Sequence, residues 1–489
     1  MQAPNSFTEL LAVASDSARQ LEDDGVLSLA MPLAGGDPMV LLPHLDPGAD
    51  SKGNGSQGSG SQGDGFRFLW DGAPGLCLAA SGRCNSLELS GPRRFELAQR
   101  FASASLSRLA TPQDCPPLAR PRVLLAFGFF DAPLEQSTGA IPGVQAVLPR
   151  WQLSRQGLHC WLRLQRPLGG EVTARSLAEE LWEKAQTLMA AWHGTPPTGT
   201  APLGATSPLR AIAQLRHGTP WELGYRSAFE QAMTLVNQGD LQKLVLAVRQ
   251  DLSLDRAVDP LALLAPLRRH QSGSCRFLWQ RAAGSALIGA SPERLLTVRQ
   301  NQLRSDALAG TTPWGPMAPE LLQSIKDRHE HDLVVDTITS VLRQAGLNPR
   351  RPRHPRLARH GQLAHLHTPI TANLLGEQPL AIAAALHPTP AVAGLPRKEA
   401  MGWLRSLEPF ERGHYAAPIG WIDSAGDADL RVAIRSGILR GSQLELTAGA
   451  GLVRGSTVER ELQEVALKLG VLQQQLNLPT QLASNRSIV

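Results

Sequence analysis

Two short stretches of the sequence carry pairs of carboxylates at helical spacing. In "TAGAGLVRGSTVERELQE" (447–464), a glycine-containing segment precedes Glu461 and Glu464, which are three residues apart. In "KDRHEHDLVVD" (326–336), Asp327 and Glu330 have the same spacing. Residues three apart share one face of a helix. No phosphate site is expected behind the glycines, because no Gly-Lys-Ser/Thr follows them and the carboxylates would repel an anion.

Each acidic pair has two interpretations. The first is a solvated helix edge, in which Lys468 neutralises Glu464 one turn away and Glu459 acts with Ser456 as a capping box. The second is that the two helices face each other, so that their carboxylates would repel unless a cation lay between them. Oxygen ligands without a Cys or His cluster favour Mg²⁺. The spacing alone leaves both interpretations open.

A lysine and a glutamate stand at the ends of strand-like segments. Lys243 begins the alternating segment "KLVLAVRQDLSL" (243–254), and Glu293 follows a proline shortly after "SALIGA" (285–290). A lysine on a strand usually protects a sheet edge. In a cleft, burial would instead lower its pKa toward that of a general base. Glu293 occupies a turn position whose direction the preceding proline helps to fix.

An arginine is flanked by small residues in a third strand-like segment. Arg435 lies within "LRVAIRSGILR" (430–440), which alternates as a strand does. Its neighbours on the same strand face would be Ala433 and Gly437. They leave space beside the guanidinium, as a site for a planar carboxylate requires.

Strands mixed with helices must position these residues. Alternation and helical periodicity predict strands over 243–254, 285–290 and 430–440, and helices over 319–346 and 457–475. The order lacks regular βαβ alternation, which favours an α+β fold over a doubly wound one. The segments "RFLWDGAPGLCLAASG" (67–82) and "RFLWQRAAGSALIGAS" (276–291) align without a gap and suggest two similarly built β-rich layers.

Breaks in composition divide the chain into two halves. The length of 489 residues favours two or three domains, or one large domain with insertions. We predict an N-terminal half (1–220), a C-terminal half (221–476) and a short tail (477–489). The Gly/Ser-rich segment near 51–65 is predicted to be a flexible loop.

The composition argues against nucleic-acid-binding, membrane and disulfide-stabilised proteins. The net charge is +5, but six arginines lie between 343 and 359, in a region without Asp or Glu. We interpret the proline-containing insertion 349–360 as a surface loop, because it lacks the interleaved aromatic residues that stack on bases. No run of about 18 apolar residues occurs, and the acidic N-terminus fits neither a signal nor a transit peptide, so a cytoplasmic protein is expected. Five cysteines without a CxxC motif predict neither a disulfide framework nor a zinc site.

Nine segments of the C-terminal half occur together in one known family. They are "QKLVLAVR", "IGASPERLL", "ALAGT", "KDRHEHDLVVD", "HLHTPI", "LHPTPAVAGLP", "RGHYAAPIGW", "VAIRSGIL" and "TAGAGLVRGSTVERELQEVALKLG". Over about residues 221–476 the chain resembles the chorismate-utilising enzymes, which include isochorismate synthase, salicylate synthase and component I of anthranilate and aminodeoxychorismate synthases. The resemblance implies a large two-layer α+β sandwich of the anthranilate synthase component I type, with the site between its two halves.

The resemblance also implies roles for individual residues. Mg²⁺ would be held by Glu330 and Glu461, with Glu464 and Asp327 in adjoining acidic positions that act through water. The metal would bind the ring carboxylate of chorismate, which the backbone of Gly449-Ala450-Gly451 would approach closely. The further positions that match substrate-binding residues of the family are Thr311, His365, Tyr415, Arg435 and Lys468.

Lys243 distinguishes between members of the family. Water-adding members carry a lysine at this position, and amine-transferring members lack it. The resemblance therefore implies an isochorismate synthase, an isomerase in which Lys243 deprotonates the water that attacks C2 and Glu293 protonates the hydroxyl that leaves C4. A monomer acting in menaquinone or phylloquinone biosynthesis is expected. The alternatives are a salicylate synthase, an isochorismate synthase of a siderophore pathway, and a non-catalytic chorismate-family subunit.

Overall fold

The structure of the protein is a computed structural model. It describes residues 4, 6–21, 25–45, 65–72, 74–112, 115–134, 140–170, 172–194, 211–212 and 221–474. The loop predicted near 51–65 lies outside the described residues except for Gly65, and the tail 477–489 lies wholly outside them. No helix in the described ranges combines the length and apolar character needed to cross a membrane.

Helices and strands alternate irregularly along the described chain. The helices are α1 (Phe7–Ala18), α2 (Pro38–Leu45), α3 (Arg94–Ser107), α4 (Ala174–Gly194), α5 (Trp221–Gln238), α6 (Pro260–His270), α7 (Ile325–Gln344), α8 (Pro379–Leu386), α9 (Arg397–Leu407) and α10 (Val458–Gln473). The strands are β1 (Val26–Leu33), β2 (Arg67–Asp71), β3 (Cys77–Leu89), β4 (Leu109–Ala110), β5 (Arg122–Phe127), β6 (Val144–Gln156), β7 (His159–Pro167), β8 (Ala211–Ile212), β9 (Lys243–Leu254), β10 (Cys275–Ala282), β11 (Ser285–Ser291), β12 (Arg294–Arg299), β13 (Gln302–Pro313), β14 (Arg356–His360), β15 (Leu363–Asn373), β16 (Gly394–Leu395), β17 (Pro418–Asp423), β18 (Ala428–Val432), β19 (Ser436–Arg440) and β20 (Gln443–Leu452). Short 3₁₀ turns cover Pro117–Ala119 and Ala318–Leu322. The predicted α+β class is confirmed.

Most of the strands form two sheet arms that diverge from β6, from which β7, β1 and β4 also branch. The first arm continues from β6 through β3, β2, β10, β11, β19 and β20 to β9. The second arm continues from β6 through β5, β17, β18, β12, β13 and β15 to β14. Neighbouring strands within both arms are antiparallel. Strands of the predicted N-terminal and C-terminal halves therefore share the same backbone hydrogen-bond network.

The two "RFLW" segments are neighbouring strands of the first arm. In the antiparallel pair of β2 and β10, Phe277 is opposite Trp70 and Trp279 is opposite Phe68. Their rings belong to a buried aromatic cluster that also contains Trp421 of the second arm. The repeat had suggested two separate layers, but its two copies lie side by side within one arm. Alternation explains why the rings share a face, since residues two apart on a strand point the same way.

Two helices carry the acidic pairs, and their starts differ from the sequence pattern. Helix α7 begins after Ser324, whose Oγ accepts a hydrogen bond from the Asp327 amide at 3.3 Å. Helix α10 begins after Thr457, which makes no side-chain cap. The predicted capping box was wrong, because the Ser456 hydroxyl accepts from the Val453 amide within the preceding turn and Glu459 pairs with Arg226.

The chain crosses between the arms at two short segments. One segment, Pro292-Glu293, joins β11 of the first arm to β12 of the second. The other, residues 433–435, returns from β18 to β19 and contains Arg435 with φ +53°. The predicted continuous strand over 430–440 was therefore wrong. A left-handed backbone is costly for a bulky residue and is retained where the surroundings enforce it, often at functional sites.

Gly402 lies in the interior of α9, and no neighbouring group requires a glycine at this position. A Cβ added there would meet no atom within 4 Å outside the helix. Gly402→Ala is expected to stabilise the fold by about 0.5–1 kcal/mol, because glycine loses more backbone entropy on helix formation than alanine. Urea denaturation measures this as a higher midpoint at an unchanged slope. A lower midpoint would contradict the prediction.

Candidate active site

A cavity lies between the two arms and is lined from both of them. Strands β9 and β20 of the first arm contribute to its wall, as do β13 and β15 of the second arm and both crossing segments. Ten of the residues singled out in the sequence line it: Glu293, Thr311, Glu330, His365, Tyr415, Arg435, Gly449, Gly451, Glu464 and Lys468. The sheets thus gather residues that are up to 175 positions apart in the sequence (293 and 468).

Lys243, at the start of β9, is fully buried. It does not line the cavity itself, but it contacts Glu330, which does. Its Nζ lies 2.9 Å from Glu330 Oε1 in an ion pair. The contact lacks hydrogen-bond geometry, and Nζ makes no hydrogen bond within the described residues. The interpretation of Lys243 as an exposed edge lysine was therefore wrong. A buried amine with unused hydrogen-bonding capacity is suited to proton transfer if substrate or water reaches it.

Glu293 is buried on the first crossing segment. Burial raises its pKa to about 7, although the charges of Lys243, Lys468 and Arg435 lower it. At this pKa a large fraction of the side chain is protonated at neutral pH. The cavity therefore offers a carboxylic acid within electrostatic range of the buried Lys243 amine.

Arg435 and His365 form a pair that directs the guanidinium. His365 Nδ1 donates to the Gly310 carbonyl at 2.8 Å, so its Nε2 is free to accept from Arg435 Nη2 at 3.1 Å. Burial and the charge of Arg435 hold the pKa of His365 well below its usual range, which keeps Nε2 unprotonated. Arg435 Nη1 is buried without a hydrogen bond in the described part of the chain. This donor suits an anionic ligand in the cavity.

Two hydroxyl groups complete this side of the cavity. The Thr311 hydroxyl lies 3.4 Å from His365 Nδ1. Burial raises the pKa of Tyr415 far above its usual range, so its hydroxyl remains a hydrogen-bond donor at all ordinary pH values. Arg435, Thr311 and Tyr415 therefore present donors to an acceptor on this wall, and His365 lies behind Arg435.

The glycines of β20 are strand residues rather than part of a turn. Gly449 is paired with Ala247 and Gly451 with Val245 in the ladder with β9. Both glycines line the cavity, whereas Ala450 between them packs into the hydrophobic core on the other face. The side chain of Ala450 is therefore not brought into the cavity.

Gly451 lets Glu330 and Lys243 approach the strand more closely than a side chain would allow, and Gly449 anchors Lys468. A Cβ on Gly451 would overlap Glu330 Oε1 and lie 2.9 Å from Lys243 Cε. The Gly449 carbonyl accepts a hydrogen bond from Lys468 Nζ at 2.7 Å, and Lys468 also pairs with Glu464 at 2.8 Å. The bare strand therefore leaves room for the ion pair and holds Lys468 in place.

Three buried carboxylates, Glu330, Glu461 and Glu464, lie close enough to influence one another. Burial and the charges of Glu464 and Glu330 raise the pKa of Glu461 to about 7, although Lys326 opposes the shift from 2.7 Å. Glu464 behaves differently. Burial would raise its pKa, but Lys468 and Lys326 together lower it. Glu461 Oε2 makes no hydrogen bond within the described residues, so this group has capacity for another cation.

Asp327 faces a neighbouring cavity. Its carboxylate pairs with Arg460 at 2.5 Å, and both residues line a second cavity at the ends of α7 and α10. Glu464 and Thr311 line both cavities. The structure therefore brings Asp327 to the edge of the acidic group, while Glu461 lies behind the wall of the first cavity.

Lys326 and Tyr225 are two residues of this region that the sequence analysis missed. The charges of Glu330, Glu461 and Glu464 raise the pKa of Lys326 against the effect of its burial. The Tyr225 hydroxyl on α5 is buried without a hydrogen bond in the described chain. Burial, and to a smaller extent the negative charge of Glu461, raises the pKa of Tyr225 strongly. Lys326 is one helical turn before Glu330, which was a usable signal. Tyr225 gave no local signal, because it reaches the acidic group from a distant helix.

No set of three or more His, Cys, Asp or Glu side chains in the described residues is arranged to hold a metal ion. Each carboxylate discussed above instead contacts a lysine or an arginine: Glu330 with Lys243, Glu461 with Lys326, Glu464 with Lys468 and Asp327 with Arg460. These ion pairs offset part of the buried negative charge.

Comparisons with known proteins agree with the residue pattern. The family profile described as "Chorismate binding enzyme" matches residues 57–477. The chain is 37% identical over 289 residues to the salicylate biosynthesis isochorismate synthase of Pseudomonas aeruginosa, a match that covers 58% of this chain and 60% of that relative. It is also 35% identical over 265 residues to the isochorismate synthase EntC of Escherichia coli K12, covering 53% of this chain and 68% of EntC.

Solved structures extend the similarity over nearly the whole chain. MenF, the menaquinone-specific isochorismate synthase of Escherichia coli, superposes with a TM-score of 0.72 at 26% identity and covers 96% of this chain and 100% of MenF. Anthranilate synthase component I of Streptococcus pneumoniae shares the fold, with a TM-score of 0.61 at 19% identity over 88% of this chain and 97% of that chain. The predicted fold type is confirmed. The chain belongs to the chorismate-binding enzyme family.

Proposed function

We propose that this protein is an isochorismate synthase that interconverts chorismate and isochorismate with Mg²⁺ as its cofactor. The observation that carries the proposal is the buried amine of Lys243 beside a cavity that also holds the protonatable carboxyl of Glu293. The names of the relatives support the same activity. Adding water at one ring carbon and removing a hydroxyl from another requires a base to deprotonate the water and an acid to protonate the departing hydroxyl.

In the proposed reaction, Lys243 removes a proton from water while the oxygen forms a bond to C2 of the ring. The two ring double bonds shift toward C4, and the C4–oxygen bond breaks. Glu293 donates its proton to the departing hydroxyl, which leaves as water. Lys243 must be neutral when it accepts the proton, so its ion pair with Glu330 has to open in the working enzyme.

Chorismate carries two carboxylates, and we propose that the cavity binds one of them through its donor wall. Arg435 Nη1 lacks a partner and Tyr415 keeps its proton, so both would bind the enolpyruvyl carboxylate. Lys468 would lie near the ring carboxylate, because it is anchored on the Gly449 carbonyl. His365 holds Arg435 from behind and would act by positioning it.

We propose that four acidic residues of this region would hold the magnesium ion. The proposed ligands are Glu330 and Glu461, with Glu464 and Asp327 acting through water. Two observations support this assignment. Three buried carboxylates repel one another, which a hard divalent cation would relieve, and Glu461 Oε2 makes no hydrogen bond within the described residues and could bind that cation. When bound, the ion would neutralise these charges and attract the ring carboxylate of the substrate.

The decisive experiment is incubation with chorismate and Mg²⁺ in H₂¹⁸O, followed by chromatography and mass spectrometry. Isochorismate that carries one ¹⁸O atom at C2, without pyruvate, supports the proposal. Salicylate with equimolar pyruvate would instead assign a salicylate synthase. Anthranilate formed only with ammonia would contradict the role given to Lys243. No turnover of a folded, Mg²⁺-saturated protein would favour a non-catalytic subunit.

We further propose that the product feeds quinone biosynthesis, either menaquinone or phylloquinone. The similarity to menaquinone-specific MenF over 96% of the chain supports this assignment. The alternative is an isochorismate synthase of a siderophore pathway, and one relative in Pseudomonas aeruginosa is named for salicylate biosynthesis. Rescue of growth in a menaquinone-deficient strain distinguishes the quinone pathway from this alternative. The proposed monomeric state is consistent with a cavity built from one chain, and a cytoplasmic location remains a prediction.

Removal of magnesium is expected to abolish turnover. Treatment with excess EDTA should reduce isochorismate formation at least about hundredfold, and Mg²⁺ should restore it. A saturating concentration, about a hundred times the dissociation constant, should also add about 2–3 kcal/mol to the free energy of unfolding. Glu461→Gln should weaken Mg²⁺ binding measured by calorimetry, whereas Glu399→Gln, on the exposed surface of α9, should not. Full activity in EDTA would contradict the proposed cofactor.

Gly451→Ala is expected to damage the site more than the fold. The new Cβ would displace the flexible end of Glu330 and crowd Lys243, so turnover should fall at least about hundredfold. The loss of stability should stay near 1–3 kcal/mol, because a side chain rather than backbone must move. The matched control is Gly402→Ala, which should retain full activity. Comparable activity in the two variants would show that Lys243 and Glu330 need not keep this contact.

A further inference from the structure

A third cavity, the basic cavity, lies in the second arm, and five of its twelve lining residues are arginines. Its volume is about 320 Å³, and its charged lining comprises Arg294, Arg304, Arg356, Arg359, Arg431 and Asp306. They come from four strands, β12, β13, β14 and β18, and His367 of β15 completes the wall. The arginine-rich segment of the sequence contributes Arg356 and Arg359, so part of it has a defined place beside this cavity.

Asp306 is already occupied by the groups around it. Its carboxylate lies 3.1 Å from Arg294 Nη1, 3.0 Å from Arg304 Nε and 3.2 Å from His367 Nε2. Burial would raise its pKa, but the His367 hydrogen bond and the two arginines lower it far below its usual range. Asp306 therefore stays ionised and cannot neutralise the other arginines as well.

The remaining guanidinium groups lack sufficient counter-charge. Asp429 lies outside the cavity lining and pairs with both Arg431, at 2.9 Å, and Arg299, at 3.5 Å. The five lining guanidinium groups therefore have one lining carboxylate, Asp306, and a share of Asp429. Arg294 and Arg431 are directly opposite each other in the ladder of β12 and β18, a position in which like charges destabilise a sheet. Arg294 Nε is also buried without a hydrogen bond in the described residues. These features are relieved together by an anion in the cavity.

The basic cavity is separate from the proposed active site but adjacent to it. The two cavities share no lining residue. Pro292 lines the basic cavity and Glu293, the next residue, lines the other. The His360 ring of the basic cavity lies 6.0 Å from the His365 ring that supports Arg435.

We propose that this cavity is a second ligand site, which binds a small oxyanion carrying at least two negative charges. Planar guanidinium groups bind both phosphoryl and carboxylate oxygens in pairs. Pyrophosphate and citrate therefore probe the two sources of such an anion. The site lies outside the machinery proposed for chorismate, so its existence does not depend on that function.

Isothermal titration calorimetry in metal-free buffer tests the proposal, since both probes chelate Mg²⁺. At least one probe should bind at one site per chain, and the probe that binds more tightly identifies the phosphoryl or the carboxylate class. Arg356→Gln/Arg359→Gln should weaken binding at least about tenfold. Arg356→Gln alone, which leaves the Arg359 contact with Trp314 intact, should weaken it in the same direction.

The control variant Arg350→Gln/Arg353→Gln removes the same charge from the same segment outside the cavity lining. It should change the affinity less than about threefold, as bulk charge at a distance is screened. Arg435→Gln should also leave the probe affinity unchanged. The proposal is overturned if neither probe binds at millimolar concentration, if both arginine pairs matter equally, or if Arg435→Gln removes binding.

Discussion

Replacing Lys243 with methionine is expected to lower the rate of isochorismate formation by about 10³-fold or more. Methionine preserves most of the buried side-chain volume but cannot accept a proton from water, and general base catalysis contributes about 10²–10⁴-fold. Substrate binding should change little, because the donor wall at Arg435 remains intact. The effect should therefore appear in kcat with KM within about threefold of the wild type, measured in steady-state kinetics with Mg²⁺.

The control for this variant is Lys398→Met, since Lys398 is exposed on α9. It should retain the wild-type rate. Lys243→Met leaves Glu330 without its ion-pair partner in a buried position, so the apo protein should lose stability and recover part of it on Mg²⁺ addition. A Lys243→Met protein that keeps more than a tenth of the wild-type kcat would rule out Lys243 as the base.

Glu293→Gln is expected to reduce kcat by about 10²–10⁴-fold, because glutamine cannot deliver the proton that the departing hydroxyl needs. In the proposed mechanism, only the protonated form of Glu293 can act as the acid. Its pKa of about 7 therefore predicts that kcat/KM falls as the pH rises above about 7. A pH–rate profile should show this alkaline decline, and its persistence in the residual activity of Glu293→Gln would assign it to another group.

The same substitution should stabilise the folded protein at alkaline pH. Burial raises the pKa of Glu293 from 4.5 to about 7, which corresponds to about 3 kcal/mol needed to ionise it in the folded state. The stability associated with the protonated side chain is fully present below about pH 4.5 and is lost as the pH rises through about 7. Glu293→Gln escapes this loss. Its melting temperature should thus exceed that of the wild type by a few degrees above pH 7, and the difference should shrink toward pH 4.5.

Local sequence patterns predicted the elements that are governed by local forces. Strand β9 has the bounds that its alternation predicted, and α7 and α10 occupy the predicted periodic segments. Glu330 and Glu464, which the helical spacing singled out, both line the cavity. The paired acids alone did not decide between a solvated edge and a buried group, which depended on packing between helices and sheets.

Non-local packing explains what the sequence patterns missed. The segment around Arg435 alternates like a continuous strand, yet the chain turns there to pass from one arm to the other. Ala450 faces away from its two glycine neighbours because the glycine segment is a strand with alternating faces. Tyr225 and Glu461 meet only after α5 and α10 pack together, and no spacing rule links residues so far apart in the chain.

The two crossing segments make the reaction geometry depend on the thickness of the sandwich. Glu293 and Arg435 lie on the crossing segments that join the two arms, whereas Lys243 lies on β9 of the first arm. Trp421 and the rings packed with it act as spacers that set the gap those segments must span. A smaller residue at Trp421 would let the gap narrow and change the distances on which the proposed proton transfers depend, although Trp421 lies in the aromatic cluster and does not line the cavity.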